Sequence, residues 1–216
     1  DDYIAAGAEI ITANTFATSA LLFNALGRDE DLIEIDSKAV AIAKDAAGGK
    51  PVAVAGSMST MRPVQAGSDR TNLSQEWSEA EARRLFRRKA DGLAAAGADL
   101  IMMEMMRDGG YALWASEAAM ETGLPVWIGI SAERREDGAL TGFGRQDWLL
   151  EDFAPRLAAL KPAVITIMHT SPNDIGEALN VIRRSWQGPL GAYPESGYFK
   201  MPDWQFINVI SPPDLV

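Results

Sequence analysis

The chain has no cysteine and only one histidine among its 216 residues. The lack of cysteine excludes a disulfide framework, and these residues alone cannot supply the usual thiolate and imidazole ligands of zinc. No apolar run approaches the ~20 residues of a membrane span, and no signal peptide opens the chain. We therefore expect a soluble cytoplasmic protein without a membrane partner.

Basic residues are also in short supply, since 20 Lys and Arg stand against 30 Asp and Glu, for a formal net charge of −10. Neutralising the phosphates of a nucleic acid requires clustered positive charge, so no nucleic-acid partner is expected. Five basic residues do lie between Arg83 and Lys89. They alternate with apolar residues at helical spacing, which predicts a solvated helix face.

One pattern occurs twice, in residues 4–14 and again in residues 93–104. Each copy has the end of a helix, a glycine that can adopt the left-handed stop conformation, and an apolar strand. The two strands deliver Asn14 and Glu104 at matching ends. The repeat therefore predicts two helix-to-strand units of the same kind.

Short apolar runs separated by helical patterns are typical of parallel strands buried beneath helices. No glycine-rich phosphate turn follows any of these runs, which disfavours an open dinucleotide-binding sheet. We predict an α/β fold, a (β/α)8 TIM barrel in one domain spanning residues 1–216, with one strand missing before residue 1 and one after residue 216. The six predicted strands are Glu9–Asn14, Pro51–Ala55, Asp99–Glu104, Pro125–Ser131, Ala163–His169 and Pro189–Tyr193.

The segments between the strands carry helix and loop signals. Residues 78–81 form a capping box ahead of the longest helix. A later helix is predicted to open at Asn173 or Asp174. Pro155 predicts a helix that is kinked there or begins at Asp152. The long polar segment from Gly56 to about Gln75 is either a binding loop on the catalytic face or a mobile insertion.

In parallel barrels the catalytic groups lie at the carboxyl ends of the strands. Lys50 and Lys161 lie at amino ends, so no lysine is placed for Schiff-base chemistry. The polar and aromatic residues that follow strands are the candidate site residues: Asn14, Thr15, Phe16, Ser57, Glu104, Ser131, Glu133, His169, Tyr193 and Glu195.

Two of these candidates carry most of the chemistry. Glu104 ends an apolar strand, where a carboxylate must meet a positive or hydrogen-bonding group; this is either a substrate ammonium or a neighbour such as Arg107. His169 is the one residue able to shuttle a proton at neutral pH or to offer an imidazole to a metal, although a purely structural role is equally consistent with the sequence.

Several stretches, taken in order, resemble the homocysteine S-methyltransferase family, whose members share a zinc-containing (β/α)8 barrel. The matching stretches are residues 7–16, 54–57, 96–104, 123–128 and 193–197. The resemblance implies methyl transfer to the sulfur of homocysteine or a related thiol, from a sulfonium, betaine-type or methylcobalamin donor. It further implies that Glu104 meets the substrate amino group and that Asn14, Thr15 and Phe16 shape the pocket floor.

The chain departs from the family at the metal site, where Met168-His169 replaces an Asn-Cys pair. Either His169 takes the place of that thiolate as a zinc ligand, with the other ligands outside the sequence, or zinc and methyl transfer have been lost. In the second case the barrel would bind a small molecule without turnover, or act as a metal-independent enzyme with Glu104 and His169 as acid and base. All three interpretations expect Asn14, Glu104 and His169 to share one cavity. Apolar residues near Trp186, Phe199 and Trp204 leave room for a second copy of the chain.

Overall fold

The computed structural model describes residues 2–68, 70–72, 74–200 and 205–214. Strands and helices alternate along most of the chain, as the apolar runs predicted. The strands are β1 (Ile10–Ala13), β2 (Ala53–Ser59), β3 (Leu100–Met106), β4 (Val126–Arg134), β5 (Leu140–Gly142), β6 (Arg145–Leu149), β7 (Val164–Met168), β8 (Leu190–Tyr193), β9 (Tyr198–Lys200) and β10 (Gln205–Ile207). The helices are α1 (Asp2–Ala5), α2 (Ala20–Ala25), α3 (Asp31–Ala47), α4 (Glu79–Ala95), α5 (Tyr111–Met120), α6 (Leu150–Ala158) and α7 (Pro172–Arg183), with a short 3-10 helix at Pro212–Asp214.

An eight-stranded, mostly parallel sheet forms the centre of the fold. Six strands pair in parallel in the order β1, β2, β3, β4, β7 and β8. An antiparallel hairpin of β5 and β6 extends β4 beyond its predicted end, and no pattern in the sequence predicted this hairpin. The α/β class is confirmed. Among the described residues β1 and β8 each pair on one side only, so this part of the chain does not itself close into the predicted barrel.

The two faces of the sheet are buried to different degrees. On the face beneath the helices, Ile101, Ile128 and Ile165 are fully buried. On the other face, Met102 and Trp127 are only partly buried and line a cavity. Because side chains alternate along a strand, this second face is the one that can meet a ligand.

The repeated helix-to-strand unit is confirmed by its backbone. Gly7 and Gly97 both take left-handed conformations, with φ of +99° and +92°, and each is followed by a parallel strand. The two copies differ at their ends, because β1 stops before Asn14 whereas β3 continues two residues beyond Glu104.

The local signals were confirmed in part. The Ser78 hydroxyl accepts a hydrogen bond from the backbone of Glu81, as the capping box requires. Helix α6 begins at Leu150 and contains Pro155 in its interior. Helix α7 begins at Pro172, earlier than predicted, because proline fits the first helical position, where no amide donor is needed.

The predicted solvated helix face was wrong for one residue. Lys89 is 1% exposed, and its ammonium donates to both carboxylate oxygens of the fully buried Asp36, at 2.7 and 2.8 Å. It also donates to the carbonyl oxygens of Thr15 and Thr18. Arg83 behaves as predicted, since it lies on a solvated face with acidic partners.

The predicted surface for a second copy of the chain stays a prediction. Trp186 is partly buried and donates to the carbonyl oxygen of Pro189 at 3.0 Å. Trp204 and the side chain of Phe199 lie outside the described residues. Of the helices that the structure describes, none combines the length and apolar character of a membrane span.

Candidate active site

Two cavities open at the carboxyl ends of the parallel strands. The larger, which we call the inner cavity, has a volume of about 450 Å³ and lies against the partly buried face of the sheet. Its lining is mostly apolar with one carboxylate. It is formed by Thr12, Met102, Glu104, Trp127, Thr166, Met168, Gly191, Ala192 and Tyr193.

The second cavity, which we call the rim cavity, has a volume of about 200 Å³. It combines aromatic and aliphatic side chains with two arginines and the histidine. Its lining is Phe16, Ser59, Thr60, Met61, Arg62, Val64, Met105, Arg107, Phe143 and His169. Ser59 to Val64 belong to the segment predicted as a long loop, although β2 in fact continues as far as Ser59.

Glu104 is the carboxylate of the inner cavity. Burial raises its pKa above the ordinary value of 4.5, and the nearby Ser57 hydroxyl lowers it by a smaller amount. That hydroxyl is itself buried and, within the described residues, lacks the alignment of a full hydrogen bond. Arg107 does not pair with Glu104, because its guanidinium donates to Thr71 instead. The described residues therefore leave Glu104 without a cationic partner.

His169 follows β7 and faces the rim cavity. Its Nδ1 lies 3.2 Å from Oε1 of Glu195, without the alignment of a hydrogen bond among the described residues. Its ring packs edge-on against Phe143, with centroids 4.7 Å apart. The backbone is held on both sides, because its carbonyl accepts from Ser131 and its amide donates to Tyr193.

Backbone irregularities lie beside the rim cavity. The pairing of β3 with β4 shifts register between Met103 and Met106, which marks a bulge. Within that shift Met105 has φ of +58°, and His169 on the neighbouring side of the cavity has φ of +45°. Left-handed conformations are costly for such residues and cluster at functional sites, as do bulges.

Consecutive side chains divide between the two cavities. Glu104 lines the inner cavity and Met105 the rim cavity, and Met168 and His169 divide in the same way. The two cavities are thus linked through neighbouring residues of β3 and β7.

The other predicted residues are placed as follows. Thr15 is fully buried and ties β1 to β2, because its hydroxyl donates to the carbonyl of Ser57 and accepts from the amide of Ser57. Phe16 lines the rim cavity, whereas Tyr193 is exposed and lines the inner one. Asn14 is exposed and lines a separate groove beside α1 and α3.

Asn14, Glu104 and His169 therefore do not share one cavity. The reason lies in the strand ends: β1 stops before Asn14, and Glu104 faces the inner cavity whereas His169, directly after β7, faces the rim cavity. An acid and base pair made of Glu104 and His169 would have to meet at the same reacting bond of a substrate, and their placement in different cavities disfavours such a pair.

The metal site predicted from the family resemblance is not formed by these residues. His169 has one acidic neighbour, Glu195, and across the described ranges no three His, Asp or Glu side chains come together to hold a metal ion. Zinc needs three or four protein ligands, so the described residues do not fit the ion by themselves.

Several side chains of the rim cavity were not predicted as site residues. Arg62 lies in a loop without any recognised motif, and Phe143 lies in the turn of the unpredicted hairpin. Arg107 was considered only as a partner for Glu104. The sequence signal that could have identified Arg107 is its position directly after an apolar strand, three residues beyond Glu104.

Comparisons with known proteins agree with this architecture. The chain is similar to the homocysteine methyltransferase MmuM from Escherichia coli in its metallated form, with a TM-score of 0.62 and 18% identity, over 90% of this chain and 77% of that chain. The oxidized form gives a TM-score of 0.61 at 17% identity, over the same shares of the two chains. At such identities the likeness shows the fold alone. No curated protein matches the chain in sequence.

The chain thus has an α/β fold that is shared with a methyltransferase. The family model for homocysteine S-methyltransferase matches residues 1–209, nearly the whole chain. The protein belongs to the homocysteine S-methyltransferase family and is a methyltransferase.

Proposed function

We propose that the protein transfers a methyl group to the thiol sulfur of homocysteine or a closely related amino acid. The observation that carries this proposal is the partly buried Glu104, which has no cationic partner among the described residues and lies at the carboxyl end of a central strand. A substrate ammonium would supply the missing positive charge, and a charge-assisted hydrogen bond in a partly desolvated cavity is strong.

In the proposed reaction the acceptor binds with its ammonium on Glu104 and its sulfur toward the rim cavity. His169 accepts the thiol proton, and Glu195 beside Nδ1 stabilises the resulting imidazolium. A sulfur–carbon bond forms to the methyl group as the donor's bond to that carbon breaks, and the donor keeps the electron pair. Positioning of the two substrates contributes much of the rate.

The finer parts of the family resemblance stay predictions. The donor is a sulfonium, betaine-type or methylcobalamin compound, and the proposed location is the cytoplasm. A zinc ion at His169 would need further ligands from outside residues 1–216. Residues 1–216 are proposed as most of one (β/α)8 barrel.

Substitution of Glu104 by glutamine tests the ammonium contact. We expect KM for homocysteine to rise about tenfold or more, since hydrogen bonds to charged groups contribute about 1.5–3 kcal/mol. With 4-mercaptobutyrate, which is homocysteine without its amino group, the wild type and Glu104→Gln should have similar KM values. Steady-state kinetics with S-methylmethionine as donor provides the measurement.

The matched control is Glu136→Gln, because Glu136 is exposed and remote from both cavities. An unchanged KM for homocysteine in Glu104→Gln would contradict the proposed contact. Methyl transfer that is absent from the wild type with every donor and acceptor pair would contradict the proposed function.

A further inference from the structure

Two arginines of the rim cavity are buried without acidic partners. Arg62 is 2% exposed and Arg107 is 7% exposed. Within the described residues neither forms an ion pair, and Nε of Arg62 is buried with no hydrogen-bond partner. Burying an uncompensated charge is strongly unfavourable. The cavity therefore holds two guanidinium groups that no carboxylate of the described residues contacts at ion-pair distance.

Neighbouring polar groups are already engaged. Asp108 is buried, but it binds Arg145 at 3.1 Å and accepts hydrogen bonds from the backbone amides of Gly110 and Ala112. This carboxylate is thus shared between a helix terminus and a third arginine. Few acceptor positions of the Asp108 carboxylate are therefore left for Arg62.

The electrostatics of Arg107 reflect the same shortage of negative charge. Burial lowers the pKa of Arg107 to about 10; Asp108 raises it, and the positive charges of Arg62, Arg145 and Arg70 lower it again. A cluster of like charges at one cavity is expensive unless an anion binds there. The guanidinium carbon of Arg62 lies 4.6 Å from the centroid of the Tyr111 ring, and the carboxylates of Asp108 and Glu76 act on it from beyond ion-pair distance.

The fold holds the two arginines in place. Arg107 follows the bulge of β3, and its backbone carbonyl lies against Gly142 so closely that any side chain there would collide with it. Its guanidinium donates to the hydroxyl of Thr71. Arg62 is held by its burial and by the ring of Tyr111 beside its guanidinium. Both arginines are therefore built into the fold, whereas surface arginines would be free to move into solvent.

We propose that the rim cavity is a carboxylate-binding subsite in which Arg62 and Arg107 hold the carboxylate of a small organic acid. The planar guanidinium matches a carboxylate in geometry and charge. The aromatic and aliphatic side chains of Phe16, Met105 and Phe143 meet the apolar body of the same molecule. The cavity of about 200 Å³ suits a ligand of few heavy atoms. That this acid is the methyl acceptor or the methyl donor rests on the proposed function; the anion site itself does not.

The first experiment uses acetate as the probe and acetamide as its neutral isostere. Isothermal titration calorimetry on the purified full chain, at constant ionic strength, should detect binding of acetate and none of acetamide. Equal binding of the two, or no binding of acetate, would overturn the proposal. Inorganic phosphate should compete weakly; binding of phosphate that is tighter than that of acetate would also overturn the carboxylate assignment.

Variants then locate the binding. Arg62→Met should weaken acetate binding about tenfold to hundredfold, as expected for loss of a charged hydrogen-bonded pair. Arg62→Lys keeps the charge, should weaken binding less, and covers the case in which Arg62→Met fails to fold. Arg28→Met, the same kind of change at an exposed arginine, should leave acetate binding unchanged. Acetate affinity that is unaltered in both Arg62 variants would show that acetate binds elsewhere.

Kinetics separates the two sources of the carboxylate. If the subsite holds the acceptor, Arg62→Met raises KM for homocysteine; if it holds the donor, KM for S-methylmethionine or betaine rises instead. Methyl transfer with neither KM altered would overturn this inference and leave the proposed function standing. Acetate binding that depends on Arg62, in a protein that shows no methyl transfer, would overturn the proposed function and leave the carboxylate subsite standing.

Discussion

At the scale of single residues, burial gives Glu104 its chemical character. At low pH the carboxyl group of Glu104 is protonated and neutral, and it must lose this proton to bind an ammonium group. Because burial raises its pKa above 4.5, the ammonium site should be lost at a higher pH than for an ordinary glutamate. The same shift affects stability, since the folded state binds this proton more tightly than the unfolded state. Glu104 therefore stabilises the fold below pH 4.5, and this contribution falls as the pH rises through the raised pKa.

Binding of homocysteine should therefore depend on pH through Glu104. KM for homocysteine should rise as the pH is lowered through the raised pKa, at a pH above 4.5. The rise should be absent from Glu104→Gln, whose side chain does not titrate. Steady-state kinetics at closely spaced pH values would show it. A wild-type KM that stays flat down to pH 4.5 would be inconsistent with an ammonium contact at Glu104.

Some residues that line the two cavities could be predicted from the sequence and others could not, for physical reasons. Glu104 and His169 were found because apolar strands mark where the carboxyl ends must lie. Arg62 was missed because a loop position has no periodicity to interpret. The placement of Asn14 could not be predicted, because its repeat with Glu104 does not show that β1 ends before Asn14 whereas β3 continues beyond Glu104.

At the scale of elements, the buried Lys89 and Asp36 pair joins three parts of the fold. Lys89 lies on α4, Asp36 lies on α3, and the ammonium also binds the carbonyls of Thr15 and Thr18, in the loop after β1. That loop carries Phe16 into the rim cavity. The helical spacing of the basic residues cannot show which side chain has a partner on another helix. The sequence therefore predicted that Lys89 is solvated like the neighbouring arginines.

Removing one member of this pair should be severe. Lys89→Met leaves the Asp36 carboxylate buried without a cation, so we expect the free energy of unfolding to fall by about 3–5 kcal/mol. The double variant Lys89→Met/Asp36→Leu should recover much of that loss. Urea denaturation measures both.

A matched control for this pair is Lys38→Met, which breaks an exposed ion pair with Glu34 whose distance of 2.6 Å is close to the 2.7 Å of the buried pair. The expected change there is about 0.5 kcal/mol or less. Similar losses for Lys89→Met and Lys38→Met would mean that the buried pair contributes nothing special to the fold.

At the scale of the whole fold, the parallel part of the sheet has two open edges among the described residues, and an apolar groove lies along one of them. Within the described residues β1 pairs only with β2, and β8 pairs only with β7. Tyr3 and Ile42, which are 81% and 70% exposed, line the groove beside β1. Unpaired strand edges and exposed apolar side chains are liabilities that folded proteins usually cover. If the proposed barrel closes between β1 and β8, both strand edges become paired and the apolar groove is covered.

Barrel closure can be tested by hydrogen exchange, measured on the natural full-length protein. In a closed barrel the backbone amides on the outer edges of β1 and β8 are paired, so both strands should exchange as slowly as the central strands β2 and β3. In an open sheet, the amides of β1 and β8 that point away from their neighbours would face water and exchange quickly. Slow exchange in both edge strands is the expected result, because six parallel strands with helices along one face already follow the barrel pattern. Rapid exchange in either strand, with β2 and β3 protected, would contradict the barrel while leaving the order of the six strands intact.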